Sequence, residues 1–250
     1  MVYRDPAAHS RPCLGSRGKI PEWAAAELGV PLETVEVNMR AGEHKTPDYC
    51  RIHPFGQVPA MEDGDLKLFE SGALVFYMYD KAGALDTPEK RAVASQWVLY
   101  ANSTLCNAMF YSKSPEQKDS MLRTLDQILA KSPYLAGDQF TVSDIAVGSY
   151  LLYLPIFGLA DGLEKLPNLV GYMKRISERP ACPQSYKVRE SATRRATSLP
   201  IACLGWRSVA QPTCLPGSRP GRTRSTAGLG PRAGLASSTK SRASSSSEVK

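Results

Sequence analysis

The residues with the clearest chemical potential are Glu70 and Ser71, an acid followed by a hydroxyl, where an alternating apolar segment meets an apolar helical one. The first turn of a helix presents backbone N–H groups without intrahelical partners, and together with a serine hydroxyl these groups suit a carboxylate. The carboxylate of a glutamate suits an ammonium group. The pair therefore matches a ligand that carries both charges, although Glu-Ser is also an ordinary helix start.

A proline lies near the beginning of the same alternating segment, in Val58-Pro59. The alternation predicts two hairpin strands, at 58–62 and 66–69, which turn at Asp63-Gly64. Proline has no N–H to donate to a β-ladder, so it blocks further growth of the sheet at that edge. We therefore expect the sheet to end at the edge beside Val58.

The elements that must position these residues begin with a small α/β layer. Its order is a helix that ends at Gly29, a strand from Thr34, a polar connector, the hairpin, and an apolar helix from Ser71. The connector contains a short helix after Thr46-Pro47. Residues 1–12 show no clear period, so no regular strand is predicted before the first helix, and an irregular one stays open.

After this layer the strands stop and only helices are predicted, which indicates an all-helical bundle. Thr87, Ser114 and Thr141 are predicted helix caps. Gln117 and Asp144 are predicted to complete capping boxes with the second and third of these caps. The closing helix is NLVGYMKRISERPA. The predicted core positions of the first two bundle helices are Val93, Trp97, Tyr100, Ala101, Met121, Leu122, Leu125, Ile128 and Leu129.

The charge of the chain is unevenly distributed. Ten of the 31 lysines and arginines but only one of the 24 acids lie in 191–250, so residues 1–190 carry 21 basic and 23 acidic side chains. The net charge of +7 therefore belongs to the tail, whose Ser-, Gly-, Pro- and Arg-rich composition predicts disorder. Because the stretch 216–250 has no interleaved aromatic residues and no nucleic-acid motif, we do not expect a nucleic-acid partner.

The cysteines and the apolar runs exclude two further classes of protein. None of the six cysteines forms a CxxC pair or has zinc spacing with a histidine, so no metal site is predicted. The chain has no secretory apolar region and no run near the ~18 apolar residues that cross a membrane. We therefore expect a cytoplasmic protein without a membrane partner.

An α/β layer followed by an all-helical bundle, with these motifs inside it, resembles the soluble glutathione transferases, especially their phi- and theta-like groups. The motifs are AGEHKTPDYCRIHPFGQVPAMEDGDLKLFESGA, FTVSDIA and NLVGYMKRISERPA, and the resemblance covers roughly residues 14–188. It implies a thioredoxin-like, glutathione-binding domain at 1–83 and an all-helical domain at 87–188. The predicted disordered basic tail, 191–250, has no counterpart in the family.

The resemblance also implies how glutathione binds. The Val58-Pro59 peptide bond is expected to be cis, which leaves the backbone of Val58 to pair with the tripeptide as a short extra strand. Glu70 and Ser71 are then assigned to the γ-glutamyl end of glutathione, because that end carries both an ammonium group and a carboxylate.

Three more residues are assigned to glutathione by the same resemblance. His44 and Lys45 are expected to bind the glycyl carboxylate, and Gln57 is expected to bind the peptide backbone. Each also has an ordinary alternative, since a histidine or lysine in a polar connector is commonly a surface residue. His53 departs from the asparagine that the family usually has before Pro-Phe-Gly, and we expect it to alter a turn and not the binding.

The expected nucleophile in this family is the thiolate of glutathione, which a hydroxyl or thiol at the start of the first helix stabilises with help from the helix dipole. Ser16, thirteen residues before Gly29, is the catalytic candidate, with Arg17 as electrostatic support. Cys13 is the runner-up, because Cys13-Leu14-Gly15-Ser16 has the CxxS form of thiol-exchange members. The alternative that neither is catalytic stays open, since no regular strand is predicted before them.

The resemblance therefore implies a detoxification enzyme that joins glutathione to small hydrophobic electrophiles, and reduces organic hydroperoxides, without a metal. It also implies a homodimer, in which Phe76 and Tyr77 pack on the bundle of the partner. Two other functions stay open, namely a Cys13-based thiol or dehydroascorbate reductase and a non-catalytic interaction module of the same fold. The electrophile site is expected between the layers, near Asn102, Cys106, Met109, Phe110 and Tyr153.

Overall fold

The computed structural model describes the backbone of residues 2–4 and all of residues 17–187. The catalytic candidates Ser16 and Cys13 and the predicted tail at 191–250 lie outside the described residues. The described residues all belong to one compact unit. Within them, no helix is long and apolar enough to cross a membrane, and no group of three or more metal-ligating side chains is found.

The first half of the chain is a sheet with helices, as predicted, and the sheet has four strands where the sequence predicted three. The sheet order is β2-β1-β3-β4; β1 pairs in parallel with β2, and the other pairs are antiparallel. This topology confirms the thioredoxin-like layer that the resemblance implied. The elements are β1 Val2–Arg4, α1 Lys19–Leu28, β2 Thr34–Glu36, a 3₁₀ turn Glu43–Lys45, α2 Pro47–Cys50, β3 Ala60–Asp63, β4 Leu66–Phe69 and α3 Ser71–Lys81.

Strand β1 occupies a place that the sequence left open, because residues 1–12 show no apolar alternation. Val2 lies opposite Thr34 of β2 and opposite Met61 of β3, so β1 is an interior strand of the sheet. A strand of three residues is too short to show an apolar alternation. Its two neighbours can nevertheless satisfy its backbone hydrogen-bonding groups, whatever its side chains are.

The hairpin is present, but its first strand and its turn are shifted from their predicted places. Strand β3 begins at Ala60 instead of Val58, because Pro59 has no N–H to give to the ladder. Asp63 pairs with Leu66, so the two-residue loop is Gly64-Asp65 and not Asp63-Gly64. Gly64 has a φ of +59°, a conformation that favours glycine at the first loop position.

The second half is a bundle of helices around α7. Every residue of α7 from Val142 to Leu154 is buried, which is typical of a helix that is apolar on all sides. Thr87 and Ser114 cap their helices as predicted, and Thr141 with Asp144 forms the predicted capping box. The elements are α4 Pro88–Leu99, a π-helical segment Tyr100–Leu105, α5 Cys106–Phe110, α6 Pro115–Leu129, α7 Val142–Ile156, α8 Pro167–Ser177 and 3₁₀ turns Leu163–Lys165 and Gln184–Tyr186.

Two details of the bundle differ from prediction. The side chain of Gln117 accepts a hydrogen bond from the Ser112 hydroxyl at 2.8 Å, so only the serine half of the predicted capping box forms at Ser114. The predicted core stripe of α4 was wrong at Val93, which is exposed, whereas Ala94 and Val98 are buried. Since α4 packs against α7, a small residue such as alanine suits the contact between the two helices.

Candidate functional site

The residues assigned to the glycyl end of glutathione, His44 and Lys45, lie on one 3₁₀ turn that packs against the loop before β3. The Lys45 ammonium donates to the backbone oxygen of Phe55 at 2.9 Å. A Cβ at Gly56, where φ is +55°, would lie 2.4 Å from the backbone oxygen of His44, so only glycine permits this approach. Gln57 follows directly, so His44, Lys45 and Gln57 lie on neighbouring loops. Partial burial lowers the pKa of Lys45.

The Val58-Pro59 bond is cis, as the resemblance implied. The backbone oxygen of the preceding residue, Gln57, accepts a 2.6 Å hydrogen bond from the hydroxyl of Tyr49 on α2. Pro59 is buried, whereas Gln57 and Val58 are half-buried. The loop before β3 is therefore anchored from inside by Tyr49, and its residues 57 and 58 remain partly accessible.

The start of α3 brings together an exposed carboxylate and a buried hydroxyl. Glu70 has a φ of +70° and precedes the helix, and its side chain is 54% exposed. Ser71 is only 1% exposed, and its Oγ has no hydrogen-bond partner among residues 17–187. A buried hydroxyl without a partner is unfavourable in the free protein. This hydroxyl sits beside the free N–H groups of the first helical turn, where an anion is favoured.

Arg17 links this helix start to α1 and to the bundle. One guanidinium nitrogen lies 3.8 Å from the Glu70 carboxylate, and another lies 3.7 Å from the Cys106 sulfur on α5. Burial lowers the pKa of Arg17, but nearby groups, Tyr150 first among them, raise it by more. The guanidinium is therefore a permanent positive charge, two residues before α1 and next in sequence to Ser16.

The sequence identified Glu70, Ser71 and Arg17 separately but did not show that they meet. No local pattern signals the Arg17–Glu70 contact, since 53 positions separate the two residues. The predicted electrophile-site residues are also only partly accessible. Cys106, Met109 and Tyr153 are buried in the core, whereas Asn102 and Phe110 are half-buried.

An apolar groove of about 670 Å³ lies between α3 and α4 and reaches Glu70 of the candidate site at one end. Phe76 and Tyr77, the residues predicted to face a partner, line it. Leu99 also lines the groove and is 64% exposed, which is high for a large apolar side chain.

Comparison with known proteins agrees with this architecture. Residues 14–80 match the glutathione S-transferase N-terminal domain and residues 97–180 match the glutathione S-transferase C-terminal domain. The chain is 32% identical to glutathione S-transferase F14 of Arabidopsis thaliana over 185 residues, which cover 62% of this chain and 73% of the relative. It is 32% identical to glutathione S-transferase GstB of Escherichia coli strain K12 over 179 residues, which cover 62% of this chain and 85% of the relative.

A solved structure is similar over most of the described chain. The theta class glutathione S-transferase of Xanthomonas axonopodis pv. citri, solved with glutathione bound, superposes with a TM-score of 0.60 at 28% identity. The match covers 75% of this chain and 97% of that one. The order of layers, the two family domains and these relatives lead to one conclusion: the chain belongs to the glutathione S-transferase family.

Proposed function

We propose that this glutathione transferase joins the thiolate of its co-substrate, glutathione, to small hydrophobic electrophiles, and that the same thiolate reduces organic hydroperoxides. The thiolate is the reactive form of the sulfur. The protein therefore needs to hold the tripeptide with its sulfur near the start of α1, where a positive charge favours ionisation. Arg17 supplies such a charge at that place.

The observation that carries this proposal is the unpaired hydroxyl of Ser71. Its Oγ is buried and has no partner within residues 17–187, and it lies at the N-terminus of α3 beside the carboxylate of Glu70. A γ-glutamyl group would supply the partner that the Ser71 hydroxyl lacks. Its carboxylate would accept from the Ser71 hydroxyl and the helix N–H groups, while its ammonium would pair with Glu70.

The other end of glutathione is assigned to the neighbouring loops. His44 and Lys45 bind the glycyl carboxylate, and Gln57 and Val58 bind the peptide backbone beside Pro59. The close packing of the Lys45 and Gly56 loops supports this assignment, since it brings a positive charge next to the strand edge. We assign the glutathione-binding domain to residues 1–83 and the helical domain to 87–188.

The catalytic group is Ser16 in this proposal, with Cys13 as the alternative. The position of Arg17, two residues before α1 and 3.8 Å from Glu70, supports Ser16, which precedes Arg17 in the sequence. The Ser16 hydroxyl would donate to the glutathione sulfur and favour its thiolate form. No metal takes part in the proposed reaction.

The proposed assembly is a homodimer that buries the groove between α3 and α4. The exposed Leu99 and the aromatic Phe76 and Tyr77 of the groove support this assignment, because apolar surface of this kind is commonly covered in oligomers. A second copy of the chain would then cover the groove in an isologous interface. A cytoplasmic location, where glutathione is kept reduced, completes the proposal.

Titration calorimetry of the full chain with glutathione tests the site. Ser71→Ala is expected to raise the dissociation constant for glutathione by about tenfold, because a hydrogen bond to a charged group is lost. Ser185→Ala is the matched control, since Ser185 Oγ is also buried without a partner among the described residues, but in the last turn of the bundle. Absence of binding by the wild type, or equal binding by the Ser71→Ala variant, would refute the proposed site.

A further inference from the structure

Helix α3 begins directly under a side chain that comes from the bundle. A Cβ at Gly72 would lie 2.0 Å from Nδ2 of Asn102 and 2.7 Å from Cγ1 of Val98. Real Cβ atoms do not approach other atoms so closely, so position 72 accommodates only the hydrogen of glycine. The Asn102 amide therefore rests on the first turn of α3, one residue after Ser71.

The Asn102 side chain is held in place by a buried tyrosine. The hydroxyl of Tyr150, on α7, donates to Asn102 Oδ1 at 2.6 Å. Burial raises the pKa of Tyr150 far above its ordinary value, so its hydroxyl keeps the proton that it donates. Because Oδ1 is engaged by Tyr150, Nδ2 is the part of the amide that is turned toward Gly72.

The backbone around Asn102 departs from regular α-helix. Asn102 lies in the π-helical segment Tyr100–Leu105, between α4 and α5. A π-helical turn inserts an extra residue into a helix and is found mainly at functional positions, because it changes the direction of the side chains. The segment packs against α7 of the bundle, and Asn102 reaches from it to the first turn of α3.

We propose that Asn102, oriented by Tyr150, is a positioning residue that holds the first turn of α3 in the geometry that binds the γ-glutamyl group. This inference rests on the proposed function. Hydrogen bonds from Ser71 and the helix N–H groups are directional, so a small displacement of this turn weakens them together. The helical bundle therefore sets the affinity of a site whose ligand contacts lie in the other layer.

The first test measures the dissociation constant for glutathione by calorimetry on the full chain. Asn102→Ala, which removes the amide, is expected to weaken binding by about tenfold, and Tyr150→Phe, which removes only the hydroxyl, by about threefold to fivefold. Tyr186→Phe is the control, because its buried hydroxyl donates to Tyr153 within the bundle and does not contact α3. We expect its dissociation constant to stay within twofold of the wild type.

A double-mutant cycle separates positioning from general loss of stability. If Asn102 acts through the γ-glutamyl site, Asn102→Ala should weaken binding less than twofold in a Ser71→Ala background, since the contact that it positions is already lost. Steady-state kinetics should show a raised KM for glutathione with kcat within twofold of the wild type. A purely structural role would lower the melting temperature without raising KM for glutathione selectively over any change in kcat.

Glycine substitutions give an independent check. Gly72→Ala is expected to displace Asn102 and to weaken glutathione binding at least as much as Asn102→Ala. Gly171→Ala is its control, because a Cβ at Gly171 of α8 meets nothing within 4 Å. A wild type that does not bind glutathione would refute the proposed function and this inference with it. A wild type that binds, with Asn102→Ala within twofold of it, would refute this inference alone.

Discussion

Arg179 and Glu27 form a bidentate ion pair between the end of the helical bundle and helix α1. The Arg179 Nε donates to Glu27 Oε1 at 2.7 Å and its Nη2 donates to Oε2 at 2.6 Å. The Glu27 side chain is only 9% exposed and also accepts from the indole N–H of Trp23 at 2.9 Å. The Arg179 guanidinium lies 3.9 Å from the ring centroid of Phe140, which adds a cation–π contact.

Arg179→Met is expected to lower the free energy of unfolding by about 2–3 kcal/mol, because it leaves a mostly buried carboxylate without its positive partner. Urea denaturation followed by circular dichroism measures this change. Arg123→Met is the control, since the Arg123–Asp119 pair is exposed and is expected to contribute less than about 0.5 kcal/mol. Equal losses in the two variants would contradict a structural role for the Glu27–Arg179 pair.

The buried histidine His53 predicts a dependence of stability on pH. Its side chain is 2% exposed, and burial, with a smaller effect of Lys45, lowers its pKa to about 4. In the unfolded chain the pKa is about 6.5, so the unfolded state binds more protons between those two values. Stability is therefore lost as the pH falls from 6.5 toward 4 and does not depend on His53 above 6.5.

We expect His53 to contribute a loss of about 2 kcal/mol between pH 7 and pH 4.5. His53→Asn removes the titrating group, so the difference between its stability and that of the wild type should shrink or reverse as the pH falls. Carboxylates titrate in the same range, and for that reason the comparison with the variant is the informative quantity. Parallel curves for the two proteins would show that His53 does not titrate in this way.

The two catalytic candidates predict different kinetics. If Ser16 stabilises the glutathione thiolate, Ser16→Ala should lower kcat/KM with chlorodinitrobenzene by about 100-fold and raise the pKa of its pH profile. Cys13→Ser should leave this conjugation within about twofold. If Cys13→Ser instead abolishes reduction of a mixed disulfide while Ser16→Ala has little effect, the enzyme is a cysteine-dependent reductase and not a serine-type transferase.

If the groove between α3 and α4 is the interface of the proposed dimer, a charged side chain in the groove should separate the two copies. Leu99→Glu places a charge in the groove at a position exposed in the single chain, so the monomer should still fold. Analytical ultracentrifugation should then find a dimeric wild type and a monomeric variant. Val170→Glu is the control, because Val170 is also exposed but lies on α8, outside the groove. A wild type that sediments as a monomer would remove the dimer from the proposal.

Helix starts were predictable because their signals are local. Thr141 and Asp144 carry a capping box within four residues, and the structure forms it. The strand Val2–Arg4 was not predictable, since its place depends on pairing with residues more than 30 positions away. The error at Val93 has a similar cause, because the packing of α4 against α7 selects the small Ala94 for the buried side.

The candidate site was predictable only in part for the same reason. Glu70, Ser71 and the proline of Val58-Pro59 belong to one short motif, so the resemblance identified them together. The contacts of Arg17 with Glu70 and of Asn102 with Gly72 join distant parts of the chain. Only the folded chain brings these residues together: the first contact lies within the sheet layer, and the second joins that layer to the bundle.

The backbone at Glu70 has a consequence for engineering. A side chain other than glycine at a φ of +70° carries about 1–2 kcal/mol of conformational strain. Glycine would relieve it, so Glu70→Gly is expected to melt at a higher temperature while losing the carboxylate that the proposed function assigns to the γ-glutamyl ammonium. Directed evolution for heat resistance alone would therefore enrich inactive variants at this position, and a library built on this scaffold needs a screen for activity beside the one for stability.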